Sequence, residues 1–126
     1  DGHCPLCVAE MRQLARLDTH ARLRFEDIKA IDFGVRYPEI DTAAVDAVLH
    51  GRFADGTLIF GLDVTRWAWS CVGRKPWLAL LRWPLIRPLA DRVYRLFARH
   101  RYRISGLLTG QRRCDSCPLP AARHER

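Results

Sequence analysis

No run of about 18 apolar residues occurs in this 126-residue chain, so the sequence offers no transmembrane helix. It has no internal repeat, no low-complexity block and no linker that would divide it, and 126 residues suffice for one domain with its own core. No signal peptide is visible. The chain starts at Asp1 rather than methionine, which leaves room for a tag, a leader or a first strand ahead of it. Nothing resembles a Ser-His-Asp set, a phosphate-cradling glycine loop or a Cys–His finger. His20, His50, His100 and His124 fall near predicted helix ends or on basic faces, where caps and surface residues are the ordinary reading. Cysteine is sparse and odd in number, five in all, which argues against a complete disulfide framework and favours a reducing cytoplasm.

What is present begins at the first residue. Asp1-Gly2-His3-Cys4-Pro5-Leu6-Cys7 places a Cys-X-X-Cys pair directly ahead of a helical pattern. Pro5 suits a first helical position, and Leu6, Met11, Leu14 and Leu17 with Cys7 and Ala15 form an apolar stripe of helical period. Cys4 then caps the helix, and Cys7 lies about one turn in. Orphan N–H groups at a helix start favour a thiolate, and the thiolate is the nucleophile of disulfide exchange. This geometry predicts an exposed Cys4 and a sheltered Cys7 that resolves a mixed disulfide. Pro5 stiffens the turn. His3 reads either as a source of positive charge that lowers the Cys4 pKa or as a solvated loop residue.

Charge is divided unevenly. Residues 1–65 carry seven Lys/Arg against eleven Asp/Glu, and residues 66–126 carry fourteen against three. A basic, Trp-containing half raises the question of an acidic partner, an anionic membrane or nucleic acid. The same residues read as helix faces: Val93, Leu96 and Phe97, after Leu89 and Ala90, on one side, and arginines on a solvated other side. Nucleic acid is therefore not an expected partner. Peripheral docking of Arg74 to Arg87 on an anionic membrane or protein is a secondary reading.

Along the chain, Leu23–Ile28 alternates apolar and polar residues and predicts a strand. Asp41 caps a short helix through Leu49, ended by His50-Gly51. Arg52–Gly61 reads as a hairpin about Asp55-Gly56. Asp63 opens a helix closed by Gly73, and Pro76 opens an apolar stretch that Pro84 and Pro88 break. A last helix spans about Leu89–Tyr102. Gly106 and Gly110 bound a tail, expected to be flexible from about residue 106. The predicted class is α/β, a small central sheet flanked by helices with a helix-rich C-terminal half. Cys-X-X-Cys before a helix in such a pattern is a sequence sign of a thioredoxin-like redox site.

The opening Asp1-Gly2-X-Cys4-X-X-Cys7 resembles the signature of the DCC-type thiol-disulfide oxidoreductase family, small proteins with a thioredoxin-like fold. Asp55-Gly56 is similar to that family's hairpin. Trp83-Pro84, Pro88, Asp91-Arg92-Val93-Tyr94 and Arg101-Tyr102 resemble its C-terminal pattern, and Cys117-Pro118-Leu119-Pro120 resembles a Cys-X-Leu-Pro ending. The resemblance spans Asp1 to Pro120 and implies that Cys4 and Cys7 carry the redox chemistry, acting on protein or small-molecule disulfides and thiols and reset by an external redox partner, with no organic cofactor. Two features depart from thioredoxin-like enzymes: the strand that leads into the motif is not in the sequence, and no proline occurs between Gly51 and Phe60 for a substrate-gripping cis turn.

A second pair, Cys114 and Cys117, lies in the tail. It reads as a pair outside turnover, as a relay to Cys4 and Cys7, or as half of a four-thiolate zinc site. Zinc pairs are usually about 15–20 residues apart, whereas more than a hundred residues separate these, so metal is not the first choice. Cys71, on an apolar face beside Trp67 and Val72, is expected to be a buried, inert thiol.

Overall fold

A computed structural model of the chain describes residues 1–115 and 117–120. His124 lies outside the described residues. The helix expected after the Cys-X-X-Cys pair runs from Pro5 to Leu17 (α1), with Cys4 as its cap and Pro5 in its first turn. Two short helices follow, Phe33–Arg36 (α2) and Thr42–Ala47 (α3). The Asp41 carboxylate accepts from Ala43 N at 3.0 Å, as an N-cap does, but α3 ends at Ala47 instead of Leu49. Val48 turns extended there, because the next residues enter the sheet.

The sheet is the predicted hairpin. Antiparallel strands His50–Arg52 (β1) and Leu58–Phe60 (β2) pair in the register His50 to Phe60, Gly51 to Ile59 and Arg52 to Leu58. The turn forms as its sequence dictates. Asp55 accepts from Thr57 N at 2.8 Å, and Gly56 takes φ +89°, a value that L side chains rarely adopt. Leu62–Cys71 follows (α4), then a 3-10 helix over Pro76–Arg82 and a long helix over Arg87–Thr109 (α5).

The core lies between helices, not on the sheet. Leu14 of α1, Trp69 of α4 and Leu78 of the 3-10 helix form its buried centre, with Met11, Leu17, Leu23, Phe25, Ala68, Val72 and Leu81 packed around them. Trp69 satisfies its indole N–H on Glu10 at 3.0 Å, and the Lys75 ammonium sits 3.6 Å from its ring centroid. The expected small central sheet is thus a two-stranded one beside a helical core. The mixed α/β class holds.

Three other expectations are corrected. Leu23–Ile28 is no strand, since it has no neighbouring strand to complete a ladder among the described residues. The Asp18 carboxylate accepts from Arg22 N at 3.0 Å and from Leu23 N at 2.7 Å, turning the chain so that Leu23 and Phe25 reach the core. Pro88 starts α5 rather than breaking a helix, being in its first turn where no N–H is needed. The helix continues past Tyr102 through Gly106 to Thr109, and Gly110 closes it in the left-handed conformation, φ +76°. The tail therefore begins after Gly110.

The largest surprise is which way α5 faces. Leu89, Val93 and Leu96 are exposed, at 64%, 59% and 60%. Ala90 and Ser105 are buried, and Tyr94, Arg101 and Tyr102 are half-buried between them. The 90–94–101–105 row is a helix face, but a largely polar one. Tyr94 is held against the hairpin: its hydroxyl accepts from Leu49 N at 3.0 Å, and a Cβ on Gly61 would lie 3.3 Å from its ring. Gly61 itself takes φ +59° at the start of α4.

The Arg74–Arg87 segment is also less free than its composition suggests. Arg82, with a side chain only 11% exposed, pairs with Asp63 at 2.8 Å and with Asp91 at 2.6 Å, clamping α4 to α5. Trp77, Leu80 and Trp83 remain 57% exposed. No described helix is long and apolar enough to cross a membrane.

The core assignment makes a stability prediction. Leu14→Ala should lower the unfolding free energy by about 2–5 kcal/mol, whereas Leu107→Ala should change it by no more than about 0.5 kcal/mol. Urea denaturation midpoints check both; equal shifts would refute the assignment of the core to α1, α4 and the 3-10 helix.

Candidate redox site

The Asp1-Gly2 opening folds into a turn that presents Cys4 to the start of α1. The Asp1 carboxylate accepts from His3 N at 2.9 Å, and the Asp1 carbonyl accepts from Cys4 N at 3.3 Å. Gly2 N donates to Asp27 at 3.0 Å. A Cβ on Gly2 would lie 2.4 Å from the Asp27 carboxylate, so a larger residue here would displace the carboxylate that accepts from Gly2 N. Burial would raise the Asp27 pKa, but the N–H groups of Lys29 and Gly2 and the nearby His3 hold it below its usual range.

Cys4 takes an extended conformation, and its Sγ accepts from Cys7 N at 3.3 Å. A sulfur here plays the part that a Ser or Asp oxygen plays at other helix caps. Three influences stabilise its thiolate. The largest is a hydrogen bond from the Cys7 thiol; then come the backbone N–H groups of Cys7 and Leu6 and the Arg101 charge. Burial opposes them, and the balance brings Cys4 from the ordinary thiol value of 9.0 to about 6. The Cys7 thiol moves the other way, because it donates to Cys4, is itself buried and faces the Cys4 charge. One sulfur is thus prepared to carry charge and its neighbour to keep a proton.

The positive charge comes from a place that sequence reasoning did not assign. His3 is not among the largest causes acting on Cys4; Arg101 of α5 is. Its guanidinium pairs with Asp1 at 2.9 Å and with Asp46 of α3 at 2.8 Å. The neighbouring Tyr102 hydroxyl donates to Asp1 at 2.6 Å. Arg101-Tyr102 carried only a resemblance in the sequence. Its usable signal was position: Arg101 follows Tyr94 by two helical turns on the inward row.

Exposure of the two thiols is the reverse of the expectation. Cys4 is fully buried, at 0%, and Cys7 is half-buried. The turn at Asp1–His3 and the Arg101 cluster enclose the cap position. Cys4, Cys7 and Cys71 are free thiols. Cys71, at the end of α4, is half-buried rather than buried, and its carbonyl accepts from Arg22 at 3.4 Å.

The tail comes back to this site. Cys114 and Cys117 are joined by a disulfide. Cys114 N donates to the His3 carbonyl at 2.9 Å, and Arg12 of α1 donates to the Pro118 carbonyl at 3.2 Å. The four sulfurs form no ligand set in this arrangement: the tail pair is bonded to itself, and no cluster of three or more His, Cys, Asp or Glu suited to a metal occurs among the described residues.

Two cysteines three positions apart at a helix start, with Cys4 as the cap, form the Cys-X-X-Cys motif of this site. Residues 1–107 match the family described as DCC1-like thiol-disulfide oxidoreductase, and the chain belongs to that family. Membership supports a redox function. The chain is also 30% identical over 108 residues to an uncharacterised chloroplastic protein of Arabidopsis thaliana, covering 84% of this chain and 50% of that one. It therefore spans about half the length of the curated relative it matches. No solved structure gives a significant match.

The electrostatics predict a titration. Ionisation of Cys4, followed by thiolate ultraviolet absorbance in a Cys71→Ser background, should rise as pH increases through about 6. Cys7→Ala should move that midpoint upward most, since it removes the largest cause, and Arg101→Met should move it upward by less. A midpoint near the ordinary 9.0 in the unaltered pair would overturn the assignment of the thiolate to Cys4.

Proposed function

We propose that this chain is a thioredoxin-like thiol-disulfide oxidoreductase in which Cys4 is the attacking thiolate and Cys7 the resolving thiol. The observation that carries the reading is the Cys-X-X-Cys geometry at the start of α1, where Cys4 Sγ caps the helix by accepting from Cys7 N at 3.3 Å. Cys4 Sγ attacks one sulfur of a substrate disulfide; the substrate S–S bond breaks, and the other substrate sulfur leaves as a thiolate that takes up a proton. Cys4 is then a neutral sulfur in a mixed disulfide. The two Cys4-dependent causes that kept Cys7 protonated, the hydrogen bond to a thiolate and its charge, vanish at that moment. Cys7 gives up its proton and attacks Cys4 Sγ, releasing the reduced substrate and leaving a Cys4–Cys7 disulfide. An external dithiol or disulfide resets the pair, and the reduction potential relative to that partner sets the direction.

Cys4→Ser should reduce turnover of a small-molecule disulfide, or of insulin disulfides, to the uncatalysed background. Cys7→Ser should trap Cys4 in a mixed disulfide, seen by non-reducing peptide mapping and removed by dithiothreitol. Wild-type rates in both variants would sink the proposal.

A further inference from the structure

Cys4 is a thiolate that no solvent reaches, and this creates a difficulty for an enzyme that must meet a disulfide from outside. The tail brings a half-buried disulfide alongside the motif. Four contacts hold it there. Ser105, buried on the inward row of α5, donates to the Gln111 carbonyl at 3.0 Å. The Arg113 guanidinium lies 5.1 Å from the centroid of Tyr102, the residue whose hydroxyl binds Asp1. Cys114 N binds the His3 carbonyl at 2.9 Å, one residue from Cys4. Arg12 binds the Pro118 carbonyl at 3.2 Å. The tail is thus tied to the residue before Cys4 on one side and to α1 on the other. Cys117 also lines an open recess of about 330 Å³ together with Gly2, His3, Asp27 and Lys29. Cys114 and Cys117 are bonded to each other, whereas Cys4 and Cys7 are not.

We propose that the Cys114–Cys117 disulfide is the internal redox partner of Cys4 and Cys7, carrying electrons between the enclosed pair and thiols or disulfides at the surface recess. The proposal rests on the thiol-exchange reading above. Cys4 Sγ attacks one tail sulfur, the tail S–S bond breaks, and the other tail sulfur leaves as a thiolate and takes a proton. Cys7 then loses its proton and attacks Cys4 Sγ, and the second tail sulfur leaves and is protonated. Two electrons and the one Cys7 proton pass from Cys4/Cys7 to the tail, the second proton of the reduced tail comes from water, and no outside oxidant enters this exchange. A small-molecule or protein disulfide then reoxidises the tail pair in the recess; a thiol there drives the sequence backwards.

The test is a map of sulfur bonds in the full chain carrying Cys7→Ser, which cannot complete the exchange. After acid quenching and non-reducing digestion, the expected product is a Cys4–Cys114 or Cys4–Cys117 bond with the other tail cysteine free. A free Cys4 with the Cys114–Cys117 bond intact overturns the relay. A second measurement avoids dependence on that variant. Wild-type chain holding one disulfide per molecule, differentially alkylated after equilibration, should show the bond distributed between Cys4–Cys7 and the tail pair, at a rate independent of protein concentration. A disulfide confined to the tail, or a rate proportional to concentration, again overturns it. The two readings fail separately. Wild-type turnover in Cys4→Ser removes the exchange reading. Substrate held on Cys4 of the Cys7→Ser chain beside an intact tail disulfide removes the relay alone.

Discussion

Arg101 joins stretches of chain that are distant in sequence. One guanidinium on α5 meets Asp1 at the motif and Asp46 on α3, and Lys29 joins Asp46 at 2.8 Å. The Arg101 side chain is 12% exposed and that of Asp1 6%, so both charges are largely taken from water, and each needs the other. Removing one member of such a pair leaves an uncompensated buried charge, at a cost of about 3–5 kcal/mol. The Asp1 turn depends on this contact, the Cys4 cap depends on the turn, and the Cys4 thiolate depends on both the cap and the Arg101 charge. Structure and reactivity therefore share one electrostatic origin, and it lies on the helix farthest along the chain from the motif.

That origin also explains the inverted polarity of α5. A helix that had to bury only hydrocarbon would turn Leu89, Val93 and Leu96 inward. This one turns Tyr94, Arg101, Tyr102 and Ser105 inward, and each has a polar partner there: Leu49 N, Asp1 with Asp46, Asp1 again, and the Gln111 carbonyl. The apolar contribution to the core comes instead from α1, α4 and the 3-10 helix. Arg82 repeats the principle at the other end of α5, where its pairs with Asp63 and Asp91 fix the helix start.

What the sequence made legible was local. The Cys4 cap, Pro5 in the first turn, the Asp41 cap and the Asp55-Gly56 turn each need only a few adjacent residues, and each formed as expected. The failures were non-local. Alternation at Leu23–Ile28 describes a strand only if a neighbour offers a ladder, and Asp18 claimed two of its flanking N–H groups instead. The arginines of α5 looked like one solvated face because composition cannot say that Asp1, a hundred positions away, would select Arg101. Of the site, the place of the two sulfurs at the start of α1 could be read, as could the alternatives for the tail pair. The burial of Cys4 could not, since it depends on which segments fold over the cap.

The sharing of one proton between Cys4 and Cys7 also sets how their redox equilibrium responds to acidity. If Cys4 and Cys7 are the exchange pair proposed above, the reduced pair above about pH 6 carries one proton, on Cys7, and oxidation releases that one alone with the two electrons. The midpoint potential of such a couple falls by about 30 mV per pH unit, half the value of about 59 mV for an ordinary dithiol that releases two protons. As pH falls below the Cys4 pKa the second proton is restored and the steeper dependence returns. On the exchange reading proposed above, a helix cap, a neighbouring thiol and a distant arginine would hold the pair's potential comparatively steady across the neutral range.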